Sequence, residues 1–333
     1  MTPHSHTHFF DFDGFPQYGE AVAGPGEETY RELSLCDVTD TRMLDWLEDV
    51  INEDDFSRMS QFGVEVLRVP TGYWNWIYLG NLSPNAPREV AERFRHLQNV
   101  QPWKYEKYID RIYQWGAQYN VKIMMEIHGM PGSQSGKGIT GCTIKDEEGQ
   151  EQFYFNTTWN KELALRTVRK MSEKCLEFQS SCYGVGVINE PAMGKGASKE
   201  EKEIVHDFLD DYFDEAIKEA RKILPWETPV ILFSWTFDFW RWPANRFPYT
   251  EYGRVEWDTH LYTFWRDDGT SDDVDQVLSL YDEPIASTAA FQNKQNASVI
   301  IGEFTFANFK YVLFCTFELY LKGRAHALFV LFV

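Results

Sequence analysis

Apolar positions along the chain gather in short, nearly continuous runs, separated by longer stretches in which they recur every three or four residues. Six runs stand out, at 64–70, 121–129, 183–191, 229–235, 255–262 and 298–304. They are rich in β-branched residues and lack polar alternation, a pattern that predicts strands buried on both faces of a parallel sheet. Between them, 103–119 places Tyr105, Tyr108, Ile109, Ile112, Tyr113 and Trp115 at helical spacing, with Asn120 as a stop. The stretch 161–178 repeats the pattern with Leu163, Leu165, Val168, Met171, Cys175 and Leu176. A third helix, 198–224, opens on Ser198 and Glu201 at capping-box spacing and ends before Pro225. A fourth stretch, 273–296, is expected to break at Pro284.

Strands alternating with helices, with no shift in composition to mark a linker, predict one β/α domain. An open doubly wound sheet usually carries a glycine-rich phosphate loop after its first strand, and no GxGxxG or GxxxxGK[ST] pattern occurs. A closed (β/α)8 TIM barrel is the fold this predicts. The barrel is assigned to 32–333, behind an N-terminal extension at 1–31. Its tail, 309–333, is atypical and reads as a helix at 309–322 and a strand at 325–333, so completeness at the first and last strands is left open.

Charge narrows the partners. The 333 residues hold 32 basic and 51 acidic side chains, a net charge of −19, which opposes binding to nucleic acid or an anionic membrane. The apolar stretch at 311–333 is interrupted by Glu318, Lys322, Arg324 and His326 and predicts no membrane span. No signal peptide is read at the start, and the oligomeric state is not legible. Asn81, Asn156 and Asn296 begin glycosylation acceptor patterns too short to decide the compartment. Five scattered cysteines fit neither a disulfide scaffold nor a paired zinc site. His4, His6 and His8 read as a solvated tail, and 145–151 as a solvated rim loop. The aromatic content of 16%, with 12 Trp, permits stacking on sugar rings. Trp74, Trp76, Trp235, Phe237, Trp240 and Trp242 read equally as a glycan cleft or as core.

In a barrel, chemistry gathers at the C-terminal strand ends. Those ends supply Arg68, then His128, then Asn189 with Glu190, then His260 with Tyr262, and last Glu303. Glu190 and Glu303 each close a buried apolar run, a costly place for a carboxylate unless it is paired or protonated. Two carboxyls converging from different strands suit glycoside cleavage, one as acid and the other as nucleophile. Arg68 and Tyr262 are expected to hold Glu303 ionised, and an apolar, Asn-adjacent setting is expected to favour the protonated form of Glu190. Asn189 is placed to bind a sugar hydroxyl.

Read in order, Arg68-Val-Pro-Thr-Gly-Tyr-Trp, Glu126-Ile-His-Gly-Met-Pro-Gly-Ser-Gln-Ser-Gly136, Asn189-Glu-Pro, Asp258-Thr-His-Leu-Tyr262 and Gly302-Glu-Phe resemble glycoside hydrolase family 5. The nearest likeness is to its exo-β-1,3-glucanase branch, over about 32–308. The resemblance implies a retaining β-glycosidase acting on a β-glucan, extracellular or at the cell surface, with neither metal nor organic cofactor. It implies Glu190 as acid/base and Glu303 as nucleophile, with Arg68, His128, Asn189, His260 and Tyr262 around them and Trp74 and Trp240 as further substrate-binding candidates. A Gly-Gly-Trp-Leu first strand and a late Trp, both usual in the family, are not found. The alternatives are β-1,4- or β-1,6-glucanase activity of the same family and a non-catalytic glucan-binding relative.

Overall fold

In the computed structural model of the chain, the described residues are 48, 51–78, 101–135, 144–145, 151–152, 157–191, 199–262, 281–296, 298–305 and 328–330. The six apolar runs become parallel strands: β1 (Val66–Gly72), β2 (Lys122–Gly129), β5 (Cys182–Gly186), β6 (Val230–Phe233), β7 (Val255–Tyr262) and β8 (Ser298–Thr305). A seventh, β9 (Leu328–Val330), pairs with β1 and gives the order β8-β7-β6-β5-β2-β1-β9. It falls within the strand expected in the tail. β8 also comes within 8 Å of β9 between Cα atoms, so the sheet curls round, although the two share no hydrogen-bonded ladder among the described residues. A separate two-residue antiparallel ladder, β3 (Ile144–Lys145) with β4 (Glu151–Gln152), pairs the two ends of the predicted rim loop.

The helices follow their apolar faces. α2 (Pro102–Tyr119) starts with a proline in its first turn, buries Tyr105, Tyr108, Ile109, Ile112 and Tyr113, and ends at Asn120 in the left-handed region, φ 57°. α3 (Thr158–Glu177) is capped by the Thr157 hydroxyl, which accepts from the Asn160 amide. α4 (Lys199–Arg221) matches the third prediction; Ser198, its expected cap, lies outside the described residues. α6 (Asp282–Gln295) runs through the expected break at Pro284, while 273–280 of that stretch lie outside the described residues. Pro284 sits in the first turn, where no intrahelical bond to its nitrogen is needed, so the helix runs on to Asn296. Two short α-helices were not foreseen. α1 (Glu53–Gln61) is closed by a capping box between Asn52 and Asp55, and α5 (Tyr249–Tyr252) is a single turn.

β1, β2, β6 and β7 are buried on both faces, and alternation separates the two. Leu67, Val69, Ile123, Met125, Val185, Leu232 and Trp257 face the helices in the main core. The other face is inner and layered. Val66, Met124 and Ile231, with Tyr183 and Ile300, form an apolar floor. Two residues further along β1 and β2 come Arg68 and Glu126, and β7 adds Asp258 beside them, all buried. Cys175 and Cys182 form a disulfide between the end of α3 and the start of β5, a pairing that cysteine spacing had not predicted.

Candidate active site

Two register shifts aim the strand ends. Between β7 and β8, Thr259 pairs with Ile301 but His260 pairs with Glu303, so Gly302 is an extra residue in the ladder. The bulge brings His260 and Glu303 directly opposite each other. Between β1 and β2, Thr71 pairs with Ile127 and Gly72 with Gly129, which leaves His128 as the extra residue. β5 ends at Gly186, earlier than predicted, yet the chain beyond it stays fastened on both sides: Val187 N–H donates to Ile231 and Asn189 N–H to Ile127. Glu190 then leaves this extension with φ +34°, a left-handed backbone uncommon for a side chain and disfavoured further by Pro191 behind it. Strain of this kind clusters at functional sites.

Arg68 is the centre of the buried charge. Its guanidinium lies 2.7 Å from Glu303, 3.0 Å from Glu126 and 3.4 Å from Asp258, and it donates to Asn189 Oδ1 at 2.7 Å. Burial works against the cation, but Glu126, Glu303 and Asp258 outweigh it and hold its pKa above the ordinary arginine value. Burial likewise works against the Glu126 anion, and Arg68 and His128 beside it still keep its pKa below the usual value.

His260 joins the two predicted reactive groups. Its Nδ1 lies 2.5 Å from Glu190 Oε1 and 3.6 Å from Glu303 Oε2, and its Nε2 lies 3.7 Å from Asp258. Burial favours the neutral ring, but Glu303 and Glu190, with help from Asp258, push its pKa up to about 10. Glu190 therefore meets a cationic imidazole rather than the apolar setting expected from its neighbours in sequence. One donor atom from each of Glu190, His260 and Glu303 lies within 4.8 Å of the other two, so the two carboxyls face each other across a short gap. These three are also a donor set that one cation could bridge, although Arg68 already neutralises Glu303.

His128 Nδ1 lies 2.7 Å from Glu126, which turns Nε2 toward the Asn189 amide at 3.4 Å. Arg68, His128, Asn189, Glu190, His260 and Glu303 thus lie together at one end of the sheet. The Tyr262 and Phe237 side chains lie outside the described residues, as do His4, His6 and His8. Trp74 is packed in the main core, edge-on to Tyr73, and Trp242 is buried with its indole donating to Ser234. Trp240 is 68% exposed beside Arg241. Of the described candidate tryptophans, Trp235 comes near the pair, with its indole donating to the Pro191 carbonyl and its ring 6.2 Å from His260.

Three residues of the site were not foreseen. Glu126 and Asp258 were visible in their motifs, and spacing two before His128 and His260 could have placed them on the same strand face. Gln134 had no such signal. Its amide nitrogen donates to the carbonyls of His128 and Asn189, and its oxygen accepts from Met130, so it staples two strand ends together.

The arrangement sets four carboxylates (Glu126, Glu190, Asp258 and Glu303) around Arg68 and a cationic His260. The surplus of negative charge favours a reacting centre that becomes positive. By fold and site the chain falls in the class of parallel β/α proteins with two carboxyls facing each other at the C-terminal strand ends.

No protein-family model matches the chain. It is similar to glucan 1,3-beta-glucosidase 2 of Wickerhamomyces anomalus, 23% identical over 304 residues covering 89% of this chain and 61% of the relative. It is also similar to glucan 1,3-beta-glucosidase 2 of Saccharomyces cerevisiae, 28% identical over 183 residues covering 49% and 29%. The chain therefore spans at most about three-fifths of the length of these relatives. Among solved structures, rutinosidase from Aspergillus niger is similar with a TM-score of 0.51 and 15% identity, over 81% of this chain and 80% of that one. Endo-glycoceramidase II from Rhodococcus sp. is similar with a TM-score of 0.53 and 14% identity, over 76% and 61%. At these identities the likeness is one of fold.

Proposed function

We propose that the chain is a retaining β-glycosidase of the family 5 type that cleaves β-glucosidic bonds of a glucan, most favourably β-1,3-linked. The observation that carries this reading is the pairing of Glu190 and Glu303, with oxygens within 4.8 Å and bridged by His260. Retaining enzymes hold their two carboxyls about 5–5.5 Å apart, whereas inverting enzymes need roughly 6.5–9.5 Å to admit water. Glu303, held as an anion by Arg68, attacks the anomeric carbon. Glu190 passes to the departing oxygen the proton it shares with His260 Nδ1, and later takes a proton from the attacking water to restore it. Asn189, with its oxygen committed to Arg68 and one amide N–H facing His128 Nε2, keeps its other N–H for a sugar hydroxyl. His128 borders the same hydroxyl, and Trp235 offers a ring face beside the pair.

The seven parallel strands are read as part of a (β/α)8 barrel spanning 32–333, and the names of the curated relatives support the β-1,3 linkage. The Cys175–Cys182 disulfide favours an oxidising, extracellular or cell-surface setting. Among the described residues no helix is long and apolar enough to cross a membrane.

Product release from laminarin, cellulose and pustulan oligosaccharides tests the reading, with NMR identifying the first-formed anomer. Cleavage of laminarin with the β-anomer appearing first is the expected result. Glu303→Gln and Glu190→Gln are each expected to lower turnover by roughly a thousandfold or more in a folded protein. Cleavage with the α-anomer first would refute retention, and folded wild-type protein that binds glucan without cleaving it would leave only a binding module.

A further inference from the structure

Asp258 is buried on the inner face of β7, two residues before His260. It lies against the bulge at Gly302, the residue directly before Glu303. A Cβ on Gly302 would meet Asp258 Oδ1 at 2.2 Å, Oδ2 at 2.5 Å and Cγ at 2.7 Å. The carboxylate thus occupies the volume that a side chain on Gly302 would take. From there Oδ2 lies 3.4 Å from Arg68 Nε and 3.7 Å from His260 Nε2. The other nitrogens of those two cations touch the reactive pair: Arg68 Nη1 meets Glu303, and His260 Nδ1 meets Glu190. A buried carboxylate lowers stability unless its charge is matched, and here it meets both cations from behind.

We propose that Asp258 is a positioning residue which holds Arg68 by Nε and His260 by Nε2 and so fixes both cations against Glu303 and Glu190, and that Gly302 lacks a side chain because Asp258 fills its place. The proposal rests on the glycosidase reading for its kinetic consequences alone.

The charged groups facing His260 are Glu190 from the β5 extension, Glu303 from β8 and Asp258 on its own strand, with Arg68 on β1 reached through Glu303 and Asp258. Among the described residues Phe233 and Trp235 also border it, and neither carries a charge. Neutralising Asp258 removes one of the three anions that the described residues set around the imidazole, and it releases the back of Arg68.

The test is Asp258→Asn, with Gly302→Ala as a second variant that displaces the same carboxylate. Each is expected to lower kcat on laminarin roughly 10- to 100-fold, by analogy with the loss of orienting partners at other sites, while KM changes little. The alkaline limb of the pH–rate profile moves down by about one unit. Independently of activity, NMR of histidine-labelled wild-type protein should find both His260 nitrogens protonated at pH 7, and His260 should titrate at lower pH in the variants. Should Asp258→Asn not fold, Gly302→Ala and the wild-type spectrum carry the test. A neutral His260 in wild-type protein, or a folded variant with unchanged kcat and pH profile, overturns the proposal. Wild-type protein that cleaves no glycoside but shows the expected His260 titration would sink the glycosidase reading and leave this one standing.

Discussion

Arg68 has to satisfy more partners than any other side chain of the site. Three buried carboxylates, Glu126, Asp258 and Glu303, depend on it, and Asn189 is oriented by it. Removing one member of a buried ion cluster strands the others without a counter-charge. Arg68→Met is therefore expected to lower stability by about 3–5 kcal/mol at pH 7, measured by urea denaturation, with a smaller loss near pH 4 where stranded carboxyls can protonate. Arg68→Lys restores charge without the fork, so it should fold better but leave Asn189 unheld. Such consequences were only partly legible from the chain. Arg68 announced itself as a cation closing an apolar run, but Glu126 and Asp258 did not, because a carboxylate inside a strand looks the same whether it faces solvent, a helix or an arginine on another strand.

At the scale of elements, local patterning did most of the work. The six apolar runs became strands and the helical stretches became helices because periodicity and stop residues such as Asn120 act within a turn or two of chain. The Cys175–Cys182 pairing was not readable, since it depends on α3 turning back directly into β5 so that the two Cα atoms lie 5.3 Å apart. Closing so short a loop restricts the unfolded chain, and Cys175→Ala with Cys182→Ala is expected to cost about 2 kcal/mol. Thermal denaturation of the double variant checks this, and reduced wild-type protein should lose a similar amount. Glucan cleavage should persist in the folded variant, because the bridge lies at the opposite end of β5 from Glu190.

For the molecule as a whole, the buried charges couple folding to pH in two directions. The Glu126 pKa is lowered from 4.5 in the folded state, so its contribution is present above that value and is lost as pH falls through its folded pKa. The His260 pKa is raised from 6.5 to about 10, so its contribution is complete below 6.5 and fades as pH climbs through 10. The urea midpoint is expected to be highest near pH 5–6.5, to fall on both sides, and to lose most of its alkaline slope in His260→Gln. The sequence by itself determined the parallel β/α order, the two-sided burial of the strands and the set of polar residues at their ends, because each follows from spacing along a few turns of chain. Only the tertiary structure decided which of these residues meet. Alternation fixes a face within one strand, but register between strands, and the bulges at His128 and Gly302 that reset it, depend on the neighbouring strand. That is why the meeting of Glu190, His260 and Glu303, and the place of Asp258 behind them, required coordinates.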